Sequence, residues 1–319
     1  MIETMDNSRS DIAPFVDRER YMSAIEAFID RPVVKVLKGM RRVGKSVIMR
    51  LLIERLIDRG VSGANILYIN KESLVFDAIK DYRDLYRYAV DYFKNGAARG
   101  ASATTATSAS ASAAGRRTYI LIDEVQEIEG WERAVASFLA DGLGDVVISG
   151  SNAGLLSSEL ATLLSGRYVE IPVYPLTFRE FLSFRNAKRD GGDRTDTAAE
   201  AENEFKNYLR YGGLPGIHQL PANDDVLFSY LNAVLNTILY KDVITRHKIR
   251  DASIFDKLVR YLFDNVGNIT TAKRIADYFK SQRIRTSVDT ILNYISYVEA
   301  SLLIDKAPRY DIKGKRLLE

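Results

Sequence analysis

The sequence predicts an α/β fold: a parallel five-stranded sheet with helices on both faces, followed by a helical lid and a winged helix. Three observations carry that expectation. A short β-branched run, Val33 to Leu37, leads through a glycine-bounded loop into an apolar helix, and the junction reads G-x-x-x-x-G-K-S from Gly39 to Ser46. Further apolar strands then alternate with helical segments, the signature of a parallel sheet covered on both faces. After Pro175 the pattern becomes wholly helical and closes on three helices and a hairpin.

Val16 to Asp30 opens the chain with apolar residues at Tyr21, Ile25, Phe28 and Ile29, one face of a helix. Phe15 or Tyr21 can stack on a nucleotide base; both also suit a core. In the loop, Gly39 and Gly44 let the backbone curl so that its N–H groups converge on an anion. Arg41, Arg42 and Val43 fill it, and Lys45, Ser46 and Val47 open the helix that runs to Arg59. That helix start contributes about half a positive charge. The motif has meaning between a strand and a helix, where Lys45 reaches β/γ-phosphates and the Ser46 hydroxyl sits on Mg²⁺. ATP and Mg²⁺ are therefore the expected ligands.

Ile66 to Ile69 is the second strand, and Phe76 to Lys94 a tyrosine-rich helix. Ala101 to Gly115 is a low-complexity Ala/Ser/Thr stretch with no large apolar residue, expected as a flexible surface loop. Thr118 to Asp123 is a buried strand ending in Asp123-Glu124. Hydrolysis needs a carboxylate for Mg²⁺, a group that activates water, and positive charge for the transition state. Asp123 suits the first role and Glu124 the second. Trp131 to Ala140 is a helix and Val146 to Ser149 a strand running into Ser151 and Asn152. Those two side chains are candidates to contact the γ-phosphate or the water; a turn cap is the alternative. Leu155 to Leu164 is a short helix, and Arg167 precedes the fifth strand, Tyr168 to Val173. Arg167 can serve as an arginine finger toward a neighbouring subunit or make a surface ion pair. Arg41 and Arg42 are the candidates to supply charge within the same chain.

Residues 14–174 thus form the expected core, 175–250 the lid and 251–319 the winged helix. The lid holds helices at Thr177–Arg185, Ala198–Arg210 and Val226–Asp242, broken by Gly212-Gly213-Leu-Pro215. The last segment holds helices at Ser253–Val266, Thr271–Ser281 and Thr286–Ala300, a strand at Leu302–Tyr310 and a turn at Ile312-Lys313-Gly314-Lys315. In a DNA-reading winged helix, Thr286, Ser287, Thr290 and Asn293 would face bases, and Arg309, Lys313, Lys315 and Arg316 phosphates. No arginine stands among the base-facing set, which is weak equipment for reading guanine.

Composition sets the outer limits. The 319 residues suffice for two domains or three small ones, and 46% hydrophobic with 27% charged residues is ordinary for a globular chain. Net charge is only +3, but residues 241–319 hold 16 Lys/Arg against 10 Asp/Glu. That basic surplus fits an anionic partner or a solvated helical surface. There is no cysteine, and His218 and His247 are too scattered for a His-based metal site. The polar N-terminus and the lack of an 18-residue apolar run point away from membranes and toward the cytosol.

The motifs G-M-R-R-V-G-K-S, I-L-I-D-E-V-Q-E-I-E-G-W-E, I-S-G-S-N, L-S-G-R, P-L-T-F-R-E-F-L and Y-G-G-L-P occur in this order. With Y-K-D-V-I-T-R-H and T-I-L-N-Y-I-S-Y-V-E-A-S-L-L, they span roughly Ile25 to Lys315. Over that span the chain resembles bacterial and archaeal AAA-type P-loop ATPases, of the AAA/ASCE-like class, that carry a C-terminal nuclease-like domain of unknown function. The resemblance implies ATP and Mg²⁺ at Lys45, Ser46, Asp123 and Glu124, Arg167 in a G-R slot, and a winged helix after the lid. Such chains usually continue into the nuclease-like domain. This one stops at Glu319, inside the expected wing, with no later D…E-x-K core, so nuclease activity is not carried over. The Ala101–Gly115 insertion is a second departure. The function expected is Mg-dependent ATP hydrolysis coupled to lid and winged-helix movement, with homo-oligomers or DNA as further partners. A slow nucleotide-dependent regulatory switch is the alternative. A small-molecule kinase fits less well, because a water-activating Glu124 works against transfer to another acceptor.

Overall fold

The computed structural model describes residues 16–101, 117–152, 163–164, 166–188 and 198–307. The Ala101–Gly115 loop beyond its first residue, Phe15, most of the 155–164 helix and the Ile312–Lys315 turn lie outside them. The chain divides into two compact units, Met1–Tyr230 and Leu231–Glu319. The division falls within the 175–250 segment.

In the first unit, β1 (Val34–Lys38), β2 (Ile66–Asn70), β3 (Tyr119–Asp123), β4 (Asp145–Gly150) and β5 (Tyr168–Pro172) form one sheet in the order β2-β3-β4-β1-β5. All pairings are parallel. Crossover helices make this geometry: α2 (Lys45–Asp58), α3 (Tyr82–Ala101) and α4 (Trp131–Ala140) separate the first four strands. Val34, Val36, Ile120, Ile122, Val146 and Ile148 belong to the main core, with Trp131 and Phe138 from α4. Each fully buried side chain of this kind contributes roughly 1.5–3 kcal/mol. This is the five-stranded α/β sheet expected from the sequence.

Two helices in this unit start later than their apolar patterns suggest. The first helix, α1, is shorter than the apolar pattern suggests, Glu19–Glu26, and the backbone turns left-handed at Asp30. Tyr21 is buried, and its hydroxyl accepts from the Tyr174 N–H at 3.1 Å, which makes it a core aromatic. α3 starts at Tyr82, not Phe76, because Asp81 Oδ1 accepts from the N–H groups of Arg83 (2.8 Å) and Asp84 (3.0 Å). Residues 74–76 form a separate 3-10 turn.

After β5 come α5 (Phe178–Lys188), α6 (Ala198–Tyr211), a 3-10 turn (Pro215–Gln219) and α7 (Asp224–Thr237), which continues as a π-helix over Ile238–Thr245. The second unit holds α8 (Ala252–Asp264), α9 (Ala272–Ser281) and α10 (Val288–Ala300). Asp251, Thr271 and Ser287 cap them through side-chain oxygens. Phe255, Val259 and Val298 pack in one apolar cluster, and Leu258, Ile275, Phe279 and Ile291 in another. Residues 302–307, read as the start of a strand, form turn and bend over 302–304 and irregular chain over 305–307, with no strand among them. No helix among the described residues is long and apolar enough to cross a membrane.

Candidate nucleotide site

Parallel pairing brings the strand ends together. Lys38 pairs with Gly150, and Asn70 with Asp123, so the loops after β1, β3 and β4 share one sheet edge. β4 lies between β1 and β3. Its end therefore sits between the glycine loop and the two acids.

Two glycines are required in that loop. A Cβ on Gly39 would stand 2.3 Å from the Val173 carbonyl oxygen, because the chain leaving β5 runs against the loop. Gly44 has φ +97°, ψ 20° and forms the N-cap of α2, with no side chain capping it. An α-helix leaves its first N–H groups without intrahelical acceptors, so this end suits a phosphate. Arg42 also takes a left-handed conformation, φ 66°.

Lys45 is buried. Its Nζ donates to Gly39 O at 2.8 Å and Met40 O at 3.0 Å, and stands 3.8 Å from Glu124 Oε1. Ser46 and Val47 follow in the first turn, both part-buried. Val43 is buried, and its carbonyl accepts from Arg18 Nη1 at 3.0 Å. Arg41 pairs with Glu72 at 3.4 Å.

Asp123 is 1% exposed; Ser149 Oγ donates to its Oδ1 and the Tyr68 hydroxyl to Oδ2 at 3.2 Å. Burial, then the Asp123 charge, pushes the Tyr68 phenol well above its ordinary pKa, so its hydroxyl remains a donor. Glu124 is buried in a left-handed conformation, φ 55°, ψ 50°, strain of about 1–3 kcal/mol that collects at functional sites. Its N–H donates to Ser149 Oγ at 3.3 Å. Its Oε2 accepts from Ser151 Oγ at 3.1 Å and from Gln126 Nε2. Asn152 follows, part-buried.

Arg167 is not in this cluster. Its carbonyl accepts from Val34 N–H at 2.9 Å, and Tyr168 pairs with Val34, so it lies at the opposite edge of the sheet. Its Nε donates to Leu164 O at 3.3 Å.

Ser149, Tyr68, Gln126 and Arg18 were not singled out from the sequence. Ser149 sits within the S-G-S-N turn, so its signal was in view. Arg18 is the least legible: Nη1 and Nη2 reach Val43 O and Tyr174 O (2.9 Å), and Nε pairs with Glu180 at 2.8 Å, 162 positions away. Burial works to raise the Glu180 pKa, but the Arg18 bond and the Thr177 N–H hold it below the usual value.

A sheet in this strand order, with a glycine loop and lysine on one strand and paired acids on the next but one, defines an AAA-type P-loop ATPase domain. Family models agree: an AAA domain matches residues 31–182, and a domain of unknown function matches 202–318. An uncharacterized protein of Haemophilus influenzae is 34% identical over 95% of this chain, which covers 69% of that protein. Uncharacterized protein MJ1544 of Methanocaldococcus jannaschii is 27% identical over 89% of the chain, which spans only 58% of its length. The Walker-type ATPase PABY2304 of Pyrococcus abyssi shares the fold at TM-score 0.57 and 16% identity, over 92% of this chain and 91% of that one. The chain belongs to one family with the Haemophilus protein, and its residues 31–182 form an AAA domain.

Proposed function

We propose that the chain binds ATP with Mg²⁺ and hydrolyses it, and that nucleotide state moves the lid (175–250) and the winged-helix segment (251–319). The observation that carries this is the 3.8 Å approach of Lys45 to Glu124, with Asp123 beside it on the same strand end. Asp123 fits a cation. It is buried, its bonding partners are neutral hydroxyls, and no basic side chain among the described residues pairs with it. Asp123 and Ser46 are the residues that would hold Mg²⁺, which when bound offsets charge on the β- and γ-phosphate oxygens. Lys45 exchanges its loop carbonyls for phosphate oxygens, and the α2 N-terminus receives the remaining charge. Glu124 takes a proton from the attacking water, and Ser151 fixes the carboxylate that does so. Asn152 contacts the γ-phosphate.

Support for lid movement lies within the first unit. Gly213 O accepts from Leu176 N–H at 2.7 Å, and a Cβ on Gly44 would meet Pro215 Cγ at 3.9 Å. The Y-G-G-L-P turn thus lies near the phosphate loop, placed to respond when phosphate enters it. DNA contact by the winged-helix segment gains little from the structure: Ser287 Oγ is engaged as the α10 cap, accepting from Thr290 N–H at 3.1 Å.

Calorimetry with MgATP is expected to show saturable binding, and phosphate release to follow, in the cytosolic ionic range with or without duplex DNA. No heat and no phosphate would end the proposal. A homo-oligomer is one partner the proposal allows. Arg167 lies roughly 16 Å from its own loop by strand rise, so a finger role requires a neighbouring copy. Arg167→Ala and Lys45→Ala chains, each inactive alone, should regain turnover when mixed. An arginine finger is worth about 10³–10⁵ in rate, so rescue stands far above background. No rescue at any ratio removes Arg167 from the chemistry.

A further inference from the structure

Gln126 lies in the 3-10 turn Val125–Glu127 directly after the acids. The turn is anchored: Val125 and Ile128 are buried, and the Ile128 N–H donates to Val125 O at 3.1 Å. Gln126 Nε2 donates to Glu124 Oε2, the oxygen that also takes Ser151 Oγ. That leaves Glu124 Oε1 facing Lys45. Chemistry fixes the amide orientation, since the reverse would set two acceptor oxygens against each other. The other end of the amide is unusual. Gln126 Oε1 is shielded from solvent, and no described residue donates to it. A buried carbonyl without a donor costs about 1–3 kcal/mol, and native structures keep few of them. The amide O and N are about 2.2 Å apart. A donor bound at Oε1 on the side facing Glu124 would therefore stand beside its carboxylate.

We propose that Gln126 is a positioning residue for the attacking water, a role that rests on Glu124 being the base. Its NH₂ holds the carboxylate, and its carbonyl oxygen accepts one O–H of the water whose other proton Glu124 removes. The water oxygen bonds to the γ-phosphorus as the bond from that phosphorus to the ADP oxygen breaks. The proton held by Glu124 then passes to the departing phosphate. Gln126 does not touch the nucleotide, so its effect falls on turnover and not on affinity.

The test compares Gln126→Leu, Gln126→Glu and Glu124→Gln, singly and as the pair Glu124→Gln/Gln126→Leu. Steady-state turnover, ATP affinity by calorimetry and thermal midpoint are measured for each. Gln126→Leu is expected to lower kcat by 10-fold or more, on the order of 10² for a misplaced reacting group. ATP Kd should stay within about threefold of wild type and KM should follow Kd. Added to Glu124→Gln, Gln126→Leu should cost less than it does alone, because holding the carboxylate is part of its role. Gln126→Glu keeps the shape and sets a like charge beside Glu124, so it too should lose kcat with Kd unchanged; it carries the test if the leucine variant does not fold. Unchanged kcat in both variants, a loss confined to KM, or full additivity with Glu124→Gln overturns the inference. If Glu124→Gln itself leaves turnover intact, the base assignment falls and this inference with it. If only the Gln126 variants are silent, the ATPase proposal stands and Gln126 leaves it.

Discussion

Glu124→Gln should bind MgATP at least as tightly as the wild type and turn it over roughly 10²–10⁴-fold more slowly, the span a positioned general base supplies. The geometry separates the two effects. Glu124 Oε1 stands 3.8 Å from Lys45 Nζ, and both groups are buried. At such a distance an opposite charge competes with phosphate for the lysine. Neutralising it frees Lys45 for the nucleotide, so affinity holds or rises. The amide cannot accept a proton from water, so the chemical step loses its base while the loop and the α2 terminus remain intact. The measurement is calorimetric Kd beside single-turnover phosphate release. Turnover within threefold of wild type would remove Glu124 as base. Weakened binding with unchanged turnover would reassign it to holding the loop.

Much of this site was legible because its chemistry is local in sequence. Lys45 follows Gly44 on the same turn, and Asp123-Glu124 ends an apolar run, so neighbours in the chain announce each other. What escaped joins residues far apart in the sequence. Tyr68 reaches Asp123 from another strand, and nothing in I-L-Y-I-N marks that tyrosine as a donor. Arg18 sits in a charged stretch that reads as solvated, yet it is buried and ties Val43 to Glu180. Arg167 directly precedes β5, and only register with Val34 shows it at the strand ends opposite the glycine loop. The π-turn over Ile238–Thr245 gives no period of its own and reads as continuous helix.

The second large effect is on stability, at the edge away from the nucleotide. Lys35 lies inside β1 and is fully buried, a charged residue in a run that reads as apolar strand. Its Nζ donates to Val33 O at 3.1 Å and pairs with Asp145, the first residue of β4. Asp145 also accepts from the Asp30 N–H at 2.7 Å, and Asp30 in turn accepts from the Tyr119 hydroxyl at 2.9 Å and pairs with Arg117. Burial pulls the Lys35 pKa down and pushes the Asp145 pKa up, each opposed by the partner's charge. Burial likewise moves the Tyr119 phenol up to about 12, helped by Asp30. Taking ions out of water costs several kcal/mol each, so the pair as a whole adds little net stability. Breaking it is another matter, because the survivor stays buried without a counter-ion. Lys35→Met should destabilise the first unit by about 3–5 kcal/mol, which at about 2–4 °C per kcal/mol lowers its Tm by roughly 10 °C. The pair Lys35→Met/Asp145→Asn removes the orphaned charge and keeps an acceptor for the Asp30 N–H. It should recover most of that loss. MgATP affinity should not change in either variant, since the cluster sits at the opposite ends of the strands from Lys45. Urea midpoints and thermal scans of the three chains decide the matter. A single variant within 1 kcal/mol of wild type, or a double variant no better than the single, would mean that water reaches this pair and that the β1–β4 edge opens in solution.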